Sequence, residues 1–178
     1  EGWDQIMTLP RRLTLQGTEV HIEPAGDIES LRTTHVRVGP LTLPANEAVV
    51  LDEVSGDPLE LALEIDPQAP AQVDVHVLRS PRREEYTRIA FFRERGFRPT
   101  RWNDAGGFQP DAANGWVYNM EKTARSVLVI DSSHASTAAD VRSRPPEMAQ
   151  LMLGPNEPLR LRVFIDRSVV EVFANGRQ

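Results

Sequence analysis

Several short stretches of this chain hold residue types that can do chemistry. Asp131-Ser132-Ser133-His134 gathers a carboxylate, two hydroxyls and an imidazole. These are the residue types of an acyl-transfer site, but such a site is assembled by geometry across a fold and not by adjacency. The stretch therefore reads as a polar turn. His21, His35, His76 and His134 are scattered without ligand spacing. They read as packing or surface residues, and no metal is expected. Trp102, Phe108, Trp116 and Tyr118 fall close together in an irregular stretch. Aromatic faces of this kind pack against the C–H faces of sugar rings. These four are the candidate substrate-binding residues. The plainer alternatives are a loop-anchoring mini-core or a contact with another domain. Trp102-Asn103-Asp104-Ala105-Gly106-Gly107 sets a carboxylate in the same stretch and reads as a polar turn. Arg79, Arg82 and Arg83 form a basic run that reads as a solvated loop. Glu171 alternates with Val170 and Val172, which predicts a solvent-facing or interface position.

The elements that must position these residues are strands. Leu59, Leu61, Leu63 and Ile65 alternate with Glu60, Ala62 and Glu64. Val73, Val75 and Val77 alternate with Asp74 and His76, and Leu159, Leu161, Val163 and Ile165 begin against Arg160 and Arg162. Period two places one set on a core face and the other on a wetter face. This predicts Leu61, Leu63, Val75, Val77, Leu161 and Val163 in the core. Shorter strands are expected at Ile6 to Leu9, Leu13 to Leu15, Val20 to Ile22, Thr34 to Val38, Ala48 to Leu51, Tyr86 to Phe92, Ser126 to Ile130 and Val169 to Phe173. Gly17-Thr18 reads as a hairpin turn. The one helical candidate is a turn at Asp27 to Leu31, which Asp27 could cap. Frequent short strands without amphipathic helices between them predict an all-β, two-sheet antiparallel β-sandwich of jelly-roll or lectin-like kind. Residues 93–125 break the rhythm and read as a long insertion that projects and carries ligand or domain contacts. A second loose region runs over residues 132–158.

Composition narrows the function classes. The net charge of −6 argues against nucleic-acid binding. There is no cysteine, so disulfides, thiolate metal sites and cysteine nucleophiles are excluded, while the compartment stays open. The apolar runs are far too short for a membrane-spanning helix. Glu1 to Asp4 show no signal-peptide pattern. The chain is expected to start within a larger protein and to form a single domain over residues 1–178.

The end of the chain, Leu159-Arg-Leu-Arg-Val-Phe-Ile-Asp-Arg-Ser-Val-Val-Glu-Val-Phe-Ala-Asn-Gly176, resembles the C-terminal sandwich module of glycoside hydrolase family 32, the invertases, inulinases and levanases. Gly2-Trp3 followed by Met7-Thr8-Leu9-Pro10-Arg11 resembles the strand by which that family enters its sandwich. The family usually has an acidic or amide residue next, where this chain has Arg12. Ile130-Asp131-Ser132-Ser133 weakly resembles an internal strand. The resemblance marks Trp3, Pro10, Arg11, Asp166, Arg167, Ser168, Glu171, Phe173, Asn175 and Gly176 as structural motif residues.

The resemblance also implies what the chain lacks. Family members cleave fructosyl bonds with retention, through a carboxylate nucleophile and a carboxylic acid/base. These groups sit on an N-terminal five-bladed propeller, in Asn-Asp-Pro-Asn, Arg-Asp-Pro and Glu-Cys motifs. None occurs here. Asp104 superficially matches the nucleophile segment but lacks the proline and any partner. The resemblance thus implies a non-catalytic module, without cofactor, that packs against and stabilises the propeller of a fructan- or sucrose-cleaving enzyme. The alternative is an independent fructan-binding sandwich. Expected partners are the propeller and a fructan or other polysaccharide.

Asn175-Gly176 is a strong hairpin signal, because both central residues of a type I′ turn need positive φ. A returning strand is expected beyond Gln178. Without it, the edge beside Val169 to Phe173 is open to self-association.

Overall fold

A computed structural model of the chain describes residues 6–66, 68, 71–94, 96–99, 120–123, 126–142 and 144–178, with backbone alone at 96–99 and 120–123. Among these residues the regular structure is eleven strands and one 3-10 turn, with no α-helix. The strands are β1 Arg11–Gln16, β2 Glu19–Pro24, β3 Leu59–Ile65, β4 Gln72–Val77, β5 Thr87–Phe92, β6 Gly96–Pro99, β7 Met120–Thr123, β8 Ser126–Asp131, β9 Glu147–Leu151, β10 Leu159–Asp166 and β11 Val169–Ala174. They form sheets in the orders β1-β2, β11-β10-β3, β4-β5-β8-β9 and β6-β7. The fold is all-β and antiparallel, in agreement with the β-sandwich class. The chain divides into two compact units, Glu1–Leu63 with Arg160–Gln178, and Glu64–Leu159.

The first unit is built from both ends of the sequence. β10 carries the clearest alternation: Leu161, Val163 and Ile165 are buried, while Arg160 and Asp166 are exposed. β11 returns in register, from Asp166 opposite Val169 to Leu161 opposite Ala174. β1 and β2 form a separate hairpin turned at Gly17-Thr18, where Gly17 takes the positive φ (63°) that the tight turn demands. The 3-10 turn at Ile28–Leu31 follows. Asp27 serves it through its backbone carbonyl, which accepts from Ser30 N–H and Oγ, and not through the side-chain cap expected from its residue type.

In the second unit, β5 lies between β4 and β8. The register sets Val73 opposite Phe91 and Val75 opposite Ile89, and sets Phe91 opposite Leu128. Cross-strand partners share a face, so these side chains make one apolar face. Ile89, Phe91, Leu128 and Leu151 are buried. Gln72, Asp74, His76, Arg88 and Asp131 fall on the opposite, wetter face.

Of the six core positions expected from alternation, Val77, Leu161 and Val163 are buried, and Leu61, Leu63 and Val75 are half-buried. Three expected strands, Ile6 to Leu9, Thr34 to Val38 and Ala48 to Leu51, are not strands. Alternation marks two faces, but a strand also needs a ladder partner, and none pairs with them among the described residues. Conversely, β6 and β7 lie inside the stretch read as irregular, pairing from Gly96 opposite Thr123 to Pro99 opposite Met120. β9 lies in the second loose region and pairs with β8.

Candidate functional site

The densest set of specific contacts sits in the first unit, where the motif residues of the terminal strands meet the entry segment. Glu171 Oε1 accepts the backbone N–H of Leu9 at 2.8 Å, and Oε2 accepts Arg11 Nη2 at 3.2 Å. The Arg11 guanidinium also lies over the Phe173 ring, 5.6 Å from its centroid. Phe173 is buried and meets Phe164 edge-on, with centroids 5.7 Å apart. Of the two positions expected for Glu171, solvent-facing or at an interface, the first is not what its side chain takes. Its side chain is 10% exposed, because the entry segment covers it and uses both carboxylate oxygens. Pro10, beside these residues, is exposed, and its carbonyl accepts Ala25 N–H at 2.7 Å.

The two turns of the motif are equally occupied. Asp166-Arg167-Ser168 closes β10 onto β11, with Arg167 at φ 53°. The Arg167 N–H donates to the Asp57 carboxylate. Asp57 carries no sequence signal for this role, because it is distant in the chain and lies in a stretch without periodicity. At the next turn Asn175 and Gly176 both have positive φ, 50° and 66°, and Arg177 N–H donates to the Ala174 carbonyl at 2.8 Å. This is the geometry that the Asn-Gly pair predicts. Asn175 also exchanges bonds with Arg160: Oδ1 accepts its N–H and the Asn175 N–H donates to its carbonyl, both at 2.9 Å. The Gly176 carbonyl accepts Ile22 N–H at 2.7 Å, which ties this turn to β2.

A charged cluster lies nearby in the same unit. Glu60 accepts from Arg32 Nε at 2.8 Å and Nη2 at 2.9 Å, and from Arg162 Nε at 2.9 Å. Glu29 pairs with Arg162 at 3.3 Å. The hydrogen bond from Arg32 is the main reason the Glu60 carboxyl is held below the usual carboxylate range; Arg162 adds to it and partial burial opposes it. Sequence reading missed this cluster, since Glu60 presents itself only as the polar partner in an alternating strand. Beside it, Arg12, Glu23, Pro24, Gly26, Ile28, Glu29 and Arg162 line a cleft of about 210 Å3. Arg12 thus lines the cleft, and the ion pair to β11 is made by Arg11.

In the second unit the serine–histidine stretch has the wrong order for nucleophilic catalysis. Ser133 Oγ is 3.0 Å from His134 Nδ1, and Asp131 Oδ1 accepts Ser133 N–H at 3.0 Å. The carboxylate is engaged by Ser133 and not by the imidazole, which is the reverse of the order in which a carboxylate orients the base. Hydrogen bonds from Ser133, side chain first, hold the Asp131 carboxyl below its ordinary range. His134 instead stacks on Tyr86 at 5.0 Å, and Tyr86 stacks on His76 at 4.5 Å. In the basic run, Arg82 pairs with Glu84 of its own loop at 3.0 Å and is 89% exposed, Arg83 is exposed and Arg79 is half-buried. Among the described residues no group of histidines and carboxylates could hold a metal ion. Trp3, Trp102, Asp104, Phe108, Trp116 and Tyr118 lie outside the described residues.

An all-β module, whose charged side chains clasp its own ends, is the class of protein that this fold and these contacts define. Residues 27–178 match the family model described as "Glycosyl hydrolases family 32 C terminal", and the chain belongs to that family. No curated protein and no solved structure matches it. The match begins after β2, so the β1–β2 hairpin precedes it.

Proposed function

We propose that this chain is the non-catalytic C-terminal module of a retaining fructan- or sucrose-cleaving hydrolase. It packs against an N-terminal propeller catalytic domain and stabilises it. The observation that carries this reading is the use made of Glu171. This carboxylate of the family motif has both oxygens engaged by Leu9 and Arg11. Retaining hydrolysis needs two carboxylates about 5–5.5 Å apart and open to a sugar. The Glu171 side chain is 10% exposed, covered by the chain's own entry segment, which supports a structural use of this carboxylate.

The test compares the full-length enzyme with a form lacking residues 1–178. The expected result is a lower thermal-inactivation temperature for the shortened form. The 178-residue chain by itself should release no fructose from sucrose, inulin or levan. Fructose release by the purified chain, abolished in Asp104→Asn, would overturn the reading.

A further inference from the structure

The β1–β2 hairpin is turned inside out. Its register sets Leu13 opposite Ile22 and Leu15 opposite Val20, so these four apolar side chains share one face. Arg11 and Pro24 continue that face at the base of the hairpin, where Pro24 is buried, while Arg12, Thr14, Gln16, Glu19, His21 and Glu23 take the other. Alternation of this kind ordinarily sends the apolar face to a core. Here Leu13 is 65% exposed, Leu15 72% and Val20 50%. Beyond the base, the polar face is the one used within the unit. Arg12 and Glu23 line the charged cleft with Arg162, and Glu19 pairs with Arg177 at 3.5 Å. A two-stranded hairpin is marginal in water without something packed on it. A contiguous exposed apolar patch marks an interaction surface.

We infer that the Leu13–Leu15–Val20–Ile22 face of the hairpin is the surface on which the catalytic domain of the same polypeptide docks. The inference rests on the proposed function and names the contact that carries it. Two observations select this occupant. The hairpin, residues 11–24, lies ahead of the C-terminal family match, which starts at residue 27, although it folds into the first unit. It is therefore an element on the side from which a preceding domain enters. A domain joined by the same backbone is also present at high effective concentration, so a patch of a few leucines and valines suffices to hold it. The hairpin is anchored at its base by the Ile22–Gly176 bond and the Arg11–Glu171 pair, and through its polar face by the Glu19–Arg177 pair.

The test uses the full-length enzyme with the double substitution Leu13→Asp and Leu15→Asp. Its control is Thr14→Asp with Gln16→Asp, which adds the same charge to the opposite face. The milder pair Leu13→Thr and Leu15→Thr keeps strand propensity and removes only apolar surface. Thermal inactivation of the hydrolase and protease cleavage between the domains are measured. The leucine variants should lower the inactivation temperature toward that of the enzyme lacking residues 1–178 and should speed cleavage, with threonine intermediate. The control should match the unmodified enzyme. If the leucine variants match it too, while the shortened enzyme is less stable, the docking face is wrong and the proposed function stands. If the shortened enzyme is as stable as the whole, the proposed function fails first. A dimer that the leucine variants dissolve with no change in inactivation would assign the face to a second copy and overturn the inference.

Discussion

Glu171 illustrates how far a single side chain can be read from sequence. Its place in the motif was legible, and its alternation with Val170 and Val172 gave it a polar environment. What filled that environment was not legible, because Leu9 lies 162 positions away. The contact separates two contributions. Glu171→Gln keeps an acceptor for the Leu9 N–H and loses the ion pair to a half-exposed arginine, which costs less than about 1 kcal/mol. Glu171→Ala removes the acceptor as well and leaves a shielded N–H unpaired, which costs about 1–3 kcal/mol. Urea unfolding of the two variants should give that order. Glu60 sets a pH dependence. Its carboxyl titrates lower in the folded chain than in the unfolded one, so its share of stability is fully present above the ordinary carboxylate value of 4.5 and is lost as pH falls through the folded value. Glu60→Gln should flatten the acid limb of stability below about pH 4.5, with little change in its slope near neutrality.

The strands were legible where alternation and a partner coincided, as in β3, β4, β10 and β11. They were misread where only one was present. Thr34 to Val38 has strand-forming residues but no ladder. β9, Glu147-Met148-Ala149-Gln150-Leu151, has a ladder to β8 but no alternating pattern, and only Leu151 is buried among its five residues. The terminal turn was legible because its requirement is local: two positive φ values in succession restrict the pair to residues such as Asn and Gly. Gly176→Ala should therefore destabilise by about 1–3 kcal/mol. Beyond the left-handed φ of 66°, its new Cβ would lie 3.3 Å from His21 Nδ1. β10 supplies the packing comparison. Leu161→Ala should cost about 2–5 kcal/mol, because a buried site loses both transfer energy and packing. Leu13→Ala, on the exposed hairpin face, should change the unfolding midpoint of the chain itself very little.

Across the whole molecule, membership in the family fixes the module, and the division into two units has a consequence for how it is made. The unit Glu64–Leu159 is one continuous segment, whereas the other unit joins residues up to Leu63 with Arg160–Gln178. During synthesis at about 5–20 residues per second, Glu171 follows Leu9 by roughly 8–32 s, given the 162 positions between them. Throughout that interval the hairpin has been made but lacks both Glu171 and the Gly176 carbonyl. The continuous unit can complete its sheet first. The piece of the first unit that leaves the ribosome earliest is thus the last to be fastened. Leu13 and Leu15 spend those seconds on a hairpin that still lacks the contacts holding it in the finished unit.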